Sequence, residues 1–310
     1  MNVLVTGGCG FIGSHVAELL SREHSVYVLD NLSGGSVENL RGLNVELIRG
    51  DIRDGEVVDR AVSRVDAVVH LAAVVSVAYS VERPEEVNDV NVAGTLRLLK
   101  ACSRRGVRRF VFASSCAVYG EPRRIPIDED HPTAPLSPYA ASKLAAEAYV
   151  HAYSAVSGLR YAILRIFNAY GPRQAHGEYG GVVARFICRA LRGEPLVIYG
   201  DGRQTRDFIY VGDVAEAFRL ALESGPANAV YNVGTGVETS IRDLASAVVR
   251  VLGASVGIEH APPRPGDVRR SRASIKRISE DLGFRPRVTL EEGIRRTIPY
   301  YRSLSARIKP

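Results

Sequence analysis

Tryptophan is absent from this 310-residue chain, methionine occurs once, and cysteine and lysine occur four times each. Cys9, Cys102, Cys116 and Cys188 lie far apart, with no C-x-x-C pair and no histidine at metal-ligand spacing. That excludes a disulfide framework and a zinc site, so the cysteines are expected as small buried residues or free thiols, and no metal is expected. No apolar run approaches the roughly 20 residues that cross a bilayer. Met1 runs directly into Asn-Val-Leu-Val-Thr-Gly without a charged leader, which makes a cytoplasmic location the expectation. There is no Gly-x-x-x-x-Gly-Lys-Ser/Thr run, hence no nucleoside-triphosphate P-loop. Forty basic residues against 34 acidic give +6 and a pI near 9.2. The basic residues are dispersed, which disfavours nucleic acid and suits a phosphorylated small molecule. With 46% hydrophobic and 24% charged residues, the composition is that of a soluble globular chain of one large or two modest domains.

What is present begins at residue 2. Asn2-Val-Leu-Val-Thr6 is a short run rich in β-branched residues, followed at once by Gly7-Gly-Cys-Gly10-Phe-Ile-Gly13 and an amphipathic stretch from Ser14 to Ser21. The order reads strand, turn, helix. Glycines at 7, 10 and 13 let the backbone turn tightly and approach a pyrophosphate, whose charge sits against free N–H groups at the helix N-terminus. The next strand, starting at Ser25, ends at Asp30-Asn31, where a dinucleotide fold places the acid that bonds the adenosine ribose. An acid there repels a 2′-phosphate, favouring NAD over NADP. The competing reading is that Asp30 only opens the turn running to Gly35.

Further strands are expected at 45–49, 67–71 and 109–113, separated by helical stretches at 55–62 and 87–105. Alternation of this kind means an α/β fold with a doubly wound parallel sheet, whose ligand crevice lies beyond the carboxyl ends of the strands. Asp51-Ile52, His70-Leu-Ala-Ala73 and Ser114-Ser115 fall at those ends. Tyr139 and Lys143 then stand one helical turn apart, so a phenol and an ammonium can act at one point. A cation beside Tyr139 is expected to pull its pKa down and make it a general acid/base near neutral pH.

Taken in order, Thr6-Gly-Gly-Cys-Gly-Phe-Ile-Gly13, Asp51-Ile52, His70-Leu-Ala-Ala73, Asn91-Val-Ala-Gly-Thr95, Ser114-Ser-Cys-Ala-Val-Tyr-Gly120 and Tyr139-x-x-x-Lys143 resemble the signature of the extended short-chain dehydrogenase/reductase family, and within it the UDP-glucose 4-epimerase branch. The resemblance covers nearly the whole chain. It implies that Tyr139 takes a proton from a sugar hydroxyl, that Lys143 holds the nicotinamide ribose, and that Ser115 completes the catalytic trio. It implies NAD held by Gly7, Gly10, Phe11, Ile12 and Gly13, by Asp30 and Asn31, by Asp51 and Ile52, by Leu71, Ala72 and Ala73, and by Asn91 with Tyr139 and Lys143. The family's dehydratases carry an Asp-Glu pair after the active-site Thr or Ser; here Cys116 and Ala117 follow Ser115, which disfavours dehydration. The segment Val74-Val75-Ser76 lacks a lysine that some UDP-galactose epimerases place near the cofactor phosphates, which puts tight retention of NAD in doubt.

For the second half, the resemblance implies substrate contacts from Asn168 and Arg206 to the diphosphate region, from Ile198 and Tyr199 against uracil, and from Arg264 and Asp267 to phosphate and ribose. Ser271 falls where some relatives carry a bulky tyrosine, so N-acetylated sugars are expected to fit beside UDP-glucose and UDP-galactose. For Arg206 the competing reading is an ion pair with Asp207 or Asp201. The expected division is an NAD-binding domain over 1–165 and a mainly nucleotide-sugar-binding domain over 166–310, with about 205–235 returning to the first. Asp213 is expected to cap a helix over 214–222, and Ser240 with Asp243 to form a capping box. The family's habit of pairing two helices implies a homodimer through 87–105 and 139–157. The rival activities are UDP-glucuronate 4-epimerase, another nucleotide-sugar oxidoreductase and a dinucleotide sensor without turnover; the main reading implies a place in galactose metabolism.

Overall fold

A computed structural model describes residues 1–175, 180–263 and 266–307. The first half alternates: β1 (Asn2–Thr6), α1 (Phe11–Leu20), β2 (Ser25–Asp30), β3 (Val45–Arg49), α2 (Gly55–Val62), β4 (Ala67–His70), α3 (Val77–Glu82), α4 (Pro84–Asn88), α5 (Thr95–Arg105), β5 (Arg109–Ser115), α6 (Pro138–Ser157) and β6 (Arg160–Ile166). The second half is less regular: β7 (Asn168–Tyr170), α7 (Val182–Leu191), β8 (Leu196–Tyr199), β9 (Thr205–Arg206), β10 (Phe208–Tyr210), α8 (Val211–Glu223), β11 (Asn228–Val233), β12 (Thr239–Ser240), α9 (Ile241–Leu252), β13 (Ile258–Ala261), α10 (Lys276–Leu282) and α11 (Leu290–Arg307).

Seven parallel strands form one sheet in the order β11-β6-β5-β4-β1-β2-β3. Chain order reverses at β1, which lies between β2 and β4, and this switch opens a crevice beyond the carboxyl ends of those strands. Side chains alternate across the sheet with period two. Val3, Val5, Ala67, Val69 and Val111 face α1, α8 and α10, packing with Val16, Phe218 and Ile278. Leu4, Val68, Phe110 and Phe112 face the other way onto Leu98 and Leu99 of α5 and Ala146 and Val150 of α6. Both faces are covered, which is why these strands read as continuous apolar runs. A third core, built around Tyr170, Phe186, Leu244 and Ile298, ties α7, α9 and α11 together.

Several local expectations change. The stretch expected as one helix over 87–105 is α4, a π-helical segment Asp89–Gly94 and α5 in succession. A π-turn widens the helix and often marks a functional position. Asp213 is not an N-cap: α8 starts at Val211 with Tyr210 at the cap position, and the Asp213 carboxylate instead accepts from the backbone N–H groups of Arg287 at 3.1 Å and Val288 at 3.0 Å. Ser240 does cap α9, its hydroxyl accepting from Asp243 N at 3.0 Å and donating to the Asp243 carboxylate at 2.6 Å. Leu4 is fully buried at the centre of the sheet. Leu4→Ala should therefore lower unfolding stability by about 3 kcal/mol, measured by denaturant titration.

Candidate active site

The turn after β1 is shaped by close approach. Gly7 has φ +68°, and a Cβ on it would sit 2.7 Å from the Ala72 nitrogen. A Cβ on Gly13, in the first turn of α1, would collide with the Gly7 carbonyl. No side chain caps α1 and no acid lies in its first turn, so its leading N–H groups face the crevice with their partial positive charge unanswered. Asp30 closes the far side of this turn. Its carboxylate accepts from Cys9 N at 2.9 Å and from Leu32 N at 2.7 Å, where Leu32 has φ +63°. Asp30 thus organises the following turn, as the competing reading held, and each oxygen keeps a second lone pair for a ribose hydroxyl. Asn31 donates to Asp51 at 2.8 Å, and Arg53 grips the same carboxylate at 2.9 and 3.0 Å, holding its pKa well below the usual range. Ile52 is buried against Gly94. A glycine cradle, a helix N-terminus and an acid at the end of β2 are a donor and acceptor set that fits a dinucleotide.

His70, at the end of β4, joins this cradle to the rest of the site. The Thr95 hydroxyl donates to Asn91 O at 2.6 Å, so at 2.9 Å it can only accept from His70 Nε2–H. Nδ1 therefore accepts the Thr6 hydroxyl proton at 2.6 Å, while Thr6 Oγ1 accepts from Leu71 N and Ala72 N, each at 3.2 Å. The imidazole is neutral, and burial pushes its pKa down to about 3. Asn91, in the π-helical segment, donates to the Ser142 hydroxyl at 2.9 Å and clamps Val74 through that residue's N–H (2.8 Å) and carbonyl (2.9 Å). Ser142 in turn donates to Tyr139 O at 2.7 Å. One directional chain thus runs from the glycine turn to the first turn of α6. Thr6, Thr95 and Ser142 were not singled out from sequence, because small hydroxyls carry no spacing signal.

Pro138 at the first position and Ser137, whose hydroxyl accepts from Ala140 N at 3.1 Å, start α6. Tyr139, Lys143 and Glu147 follow at successive turns, all buried. Lys143 Nζ donates to Ala113 O at 3.0 Å and lies 5.1 Å from the centre of the Phe112 ring. Burial pushes its pKa down to about 8, against the opposing pull of Glu147. Ser115 lies beside the Tyr139 phenol and lowers its pKa. The expected depression of the tyrosine is reversed: burial raises it to about 12, and Ser115 only partly opposes this. Spacing revealed the shared helix face but not how completely water is excluded from it. Cys116 beside them is inert, its thiol pushed up to about 12 by burial.

Across the crevice, Asn168 N donates to Asp207 O at 3.0 Å and its side-chain oxygen is buried without a hydrogen-bond partner. Ile198 is buried, Tyr199 half-buried, and Gln204 donates to Tyr199 O at 2.7 Å. Arg206 donates to Thr205 O at 2.6 Å and Val268 O at 2.7 Å and forms an ion pair with Asp267. Its partner is neither Asp207 nor Asp201. Asp207 is instead a clasp, fully buried, accepting from Thr235 N (2.8 Å), Thr235 Oγ1 (2.6 Å), Gly236 N (2.9 Å) and Ala273 N (3.1 Å). Ser271 is buried two residues before Ala273. Arg264 lies outside the described residues.

The model of the NAD dependent epimerase/dehydratase family matches residues 3–234. A UDP-glucose 4-epimerase of Mycolicibacterium smegmatis is 44% identical over 98% of this chain and 100% of its own. The UDP-glucose 4-epimerase of Thermotoga maritima, solved with UDP-glucose, superposes with a TM-score of 0.95 at 42% identity, covering 98% of this chain and 100% of that one. The Thermus thermophilus UDP-glucose 4-epimerase, solved with NAD, does so with a TM-score of 0.91 at 47% identity, covering 97% and 99%. Asp30→Asn should weaken NAD binding about tenfold, the worth of one hydrogen bond to a charged group, and narrow the preference over NADP; calorimetric titration with both nucleotides measures it.

Proposed function

Because the chain belongs to the NAD-dependent epimerase/dehydratase family, we propose that it is an NAD-dependent epimerase that inverts C4 of UDP-sugars through a transient 4-keto sugar. The observation that carries this reading is the grouping of half-buried Ser115 with buried Tyr139 and Lys143 at the carboxyl end of β5. Tyr139 takes the proton of the 4-hydroxyl and later returns it; Ser115 orients the phenol and donates to the phenolate; the Lys143 ammonium stabilises that phenolate and offers donors to a ribose. When bound, NAD would supply reversible hydride acceptance and the positive charge of its nicotinamide ring. A buried phenol has little acidity without such cations beside it. Neither the Cys116 thiol nor Ala117 can act as the acid a dehydration needs.

Residues 1–165 would bind NAD and 166–310 mainly the nucleotide sugar, a division supported by the loss of strict alternation after β6; β11 and α8 pack back on the first unit. Asn168, Ile198, Tyr199, Arg206, Arg264 and Asp267 would hold the UDP moiety, with the unpartnered Asn168 oxygen supporting its place. A place in galactose metabolism in the cytoplasm accords with that substrate; among the described residues no helix is long and apolar enough to cross a membrane. Tyr149 and the 81% exposed Val156 on α6 support a homodimer through α5 and α6, and a solution mass of two chains would bear on it.

Incubation with UDP-glucose, UDP-N-acetylglucosamine or UDP-glucuronate, followed by chromatography, tests the activity. Interconversion of UDP-glucose and UDP-galactose is expected, and Tyr139→Phe should lower kcat at least a hundredfold with NAD binding retained. Turnover unchanged by that substitution would sink the mechanism. Ser271 leaves room for an acetamido group, so Ser271→Tyr should depress kcat/KM for the N-acetylated pair about tenfold or more relative to the unsubstituted pair. An unaltered ratio would remove the basis for that specificity.

A further inference from the structure

Glu147 stands one turn beyond Lys143, as Lys143 stands one turn beyond Tyr139, so the three share one face of α6. The reaction as described above does not use it, yet its carboxylate is buried and fully engaged. It accepts from the Ser114 hydroxyl, from Arg165 Nε at 3.0 Å and from Arg165 Nη2 at 2.7 Å. Arg165 also donates to the Tyr119 hydroxyl at 3.0 Å, and Tyr119 donates to Asn232 Oδ1 at 2.7 Å. A buried ion pair is a poor source of stability, because the two ions lose their hydration and well-packed apolar replacements are often neutral or better. Its position beneath Ser114-Ser115 and beside Lys143 calls for another explanation.

We propose that Glu147 is a positioning residue for the reaction: its carboxylate, held by Arg165, anchors Ser114 at the end of β5 next to Ser115 and sets a negative charge one helical turn from the Lys143 ammonium. The groups around Lys143 leave few alternatives. Its own helix brings Tyr139 and Glu147; β4 brings His70, neutral by its hydrogen bonds; the segment after β5 brings the inert Cys116; β6 brings Arg165, whose charge Glu147 answers. The π-helical segment brings the neutral Asn91 and the half-buried Asp89, which Arg53 and Arg97 answer, and α5 brings Thr95, while Glu82, Glu85 and Glu86 of α3 and α4 are exposed. Glu147 is the anion that acts on Lys143, and the burial that already lowers the lysine would act unopposed without it.

The scarcity of lysine makes the test direct. With four lysines in the chain, NMR of protein labelled at lysine Cε resolves the titration of Lys143, assigned with Lys143→Arg, in the NAD-loaded protein. In Glu147→Gln the Lys143 pKa should fall by about one unit, the other three lysines should not move, and the alkaline limb of kcat should shift down by the same amount while KM for the UDP-sugar stays within about twofold. The double variant Glu147→Met/Arg165→Met carries the test should the single one fail to fold: thermal stability should return, and the Lys143 pKa should remain below that of the parent protein. If the double variant regained both stability and the parent Lys143 titration, or if Glu147→Gln left that titration in place, Glu147 would be a packing residue and the proposal overturned. The inference rests on the epimerase reading for its kinetic limb. The lysine titration needs no turnover, so failure of that reading and failure of this one give different results.

Discussion

A lysine sealed from water is the constraint on which this site turns. Lys143 has given up its hydration for one carbonyl, the face of Phe112 and the field of a carboxylate one turn away. Each depends on a different element. The Ala113 carbonyl lies one residue beyond the last β5 residue that β4 pairs, the ring is near because Phe112 points to the α6 side of the sheet, and the carboxylate because α6 runs unbroken for 20 residues from its Ser137 cap. The parallel sheet does more than support the crevice: its packing against α6 sets what surrounds the ammonium.

The same constraint explains what could be read from residues alone. The glycine turn, the acid after β2 and the Tyr139–Lys143 spacing are local patterns, and local geometry gave them their positions. Helix spacing predicts a depressed tyrosine pKa and burial reverses it, because proximity of a cation can be counted along a helix, whereas exclusion of water depends on what packs above it. Glu147 went unnoticed although the 139, 143, 147 periodicity was present; an acid on a helix usually faces solvent, and only the placement of Arg165 on β6, 18 residues on, reveals that this one does not. Asp213 misled for a related reason. An Asp near a helix start resembles a cap, but its partners, Arg287 and Val288, are more than 70 residues away.

The second half was harder to read because its organisation rests on a buried acid rather than on alternation. Asp207 gathers the Thr235–Gly236 turn and the strand-like segment at Ala273 onto β9 and β10 through four hydrogen bonds. Three pieces of chain distant in sequence are brought to one wall of the crevice. Burial raises the Asp207 pKa while those four donors oppose the rise, so the acid is satisfied as an acceptor without any cation. That leaves the neighbouring Arg206 free of it.

Arg206 is nevertheless not a bare cation awaiting an anion, since Asp267 already holds it. In the proposed site a diphosphate would enter by exchange, trading one anion for another at the same guanidinium. Affinity for a nucleotide sugar would then be a difference between two like interactions, and the number of charges in the crevice would change less than the ligand's own charge suggests. Once released, the carboxylate of Asp267 would be free to accept from a ribose hydroxyl, so the step that vacates the arginine would also equip the next contact.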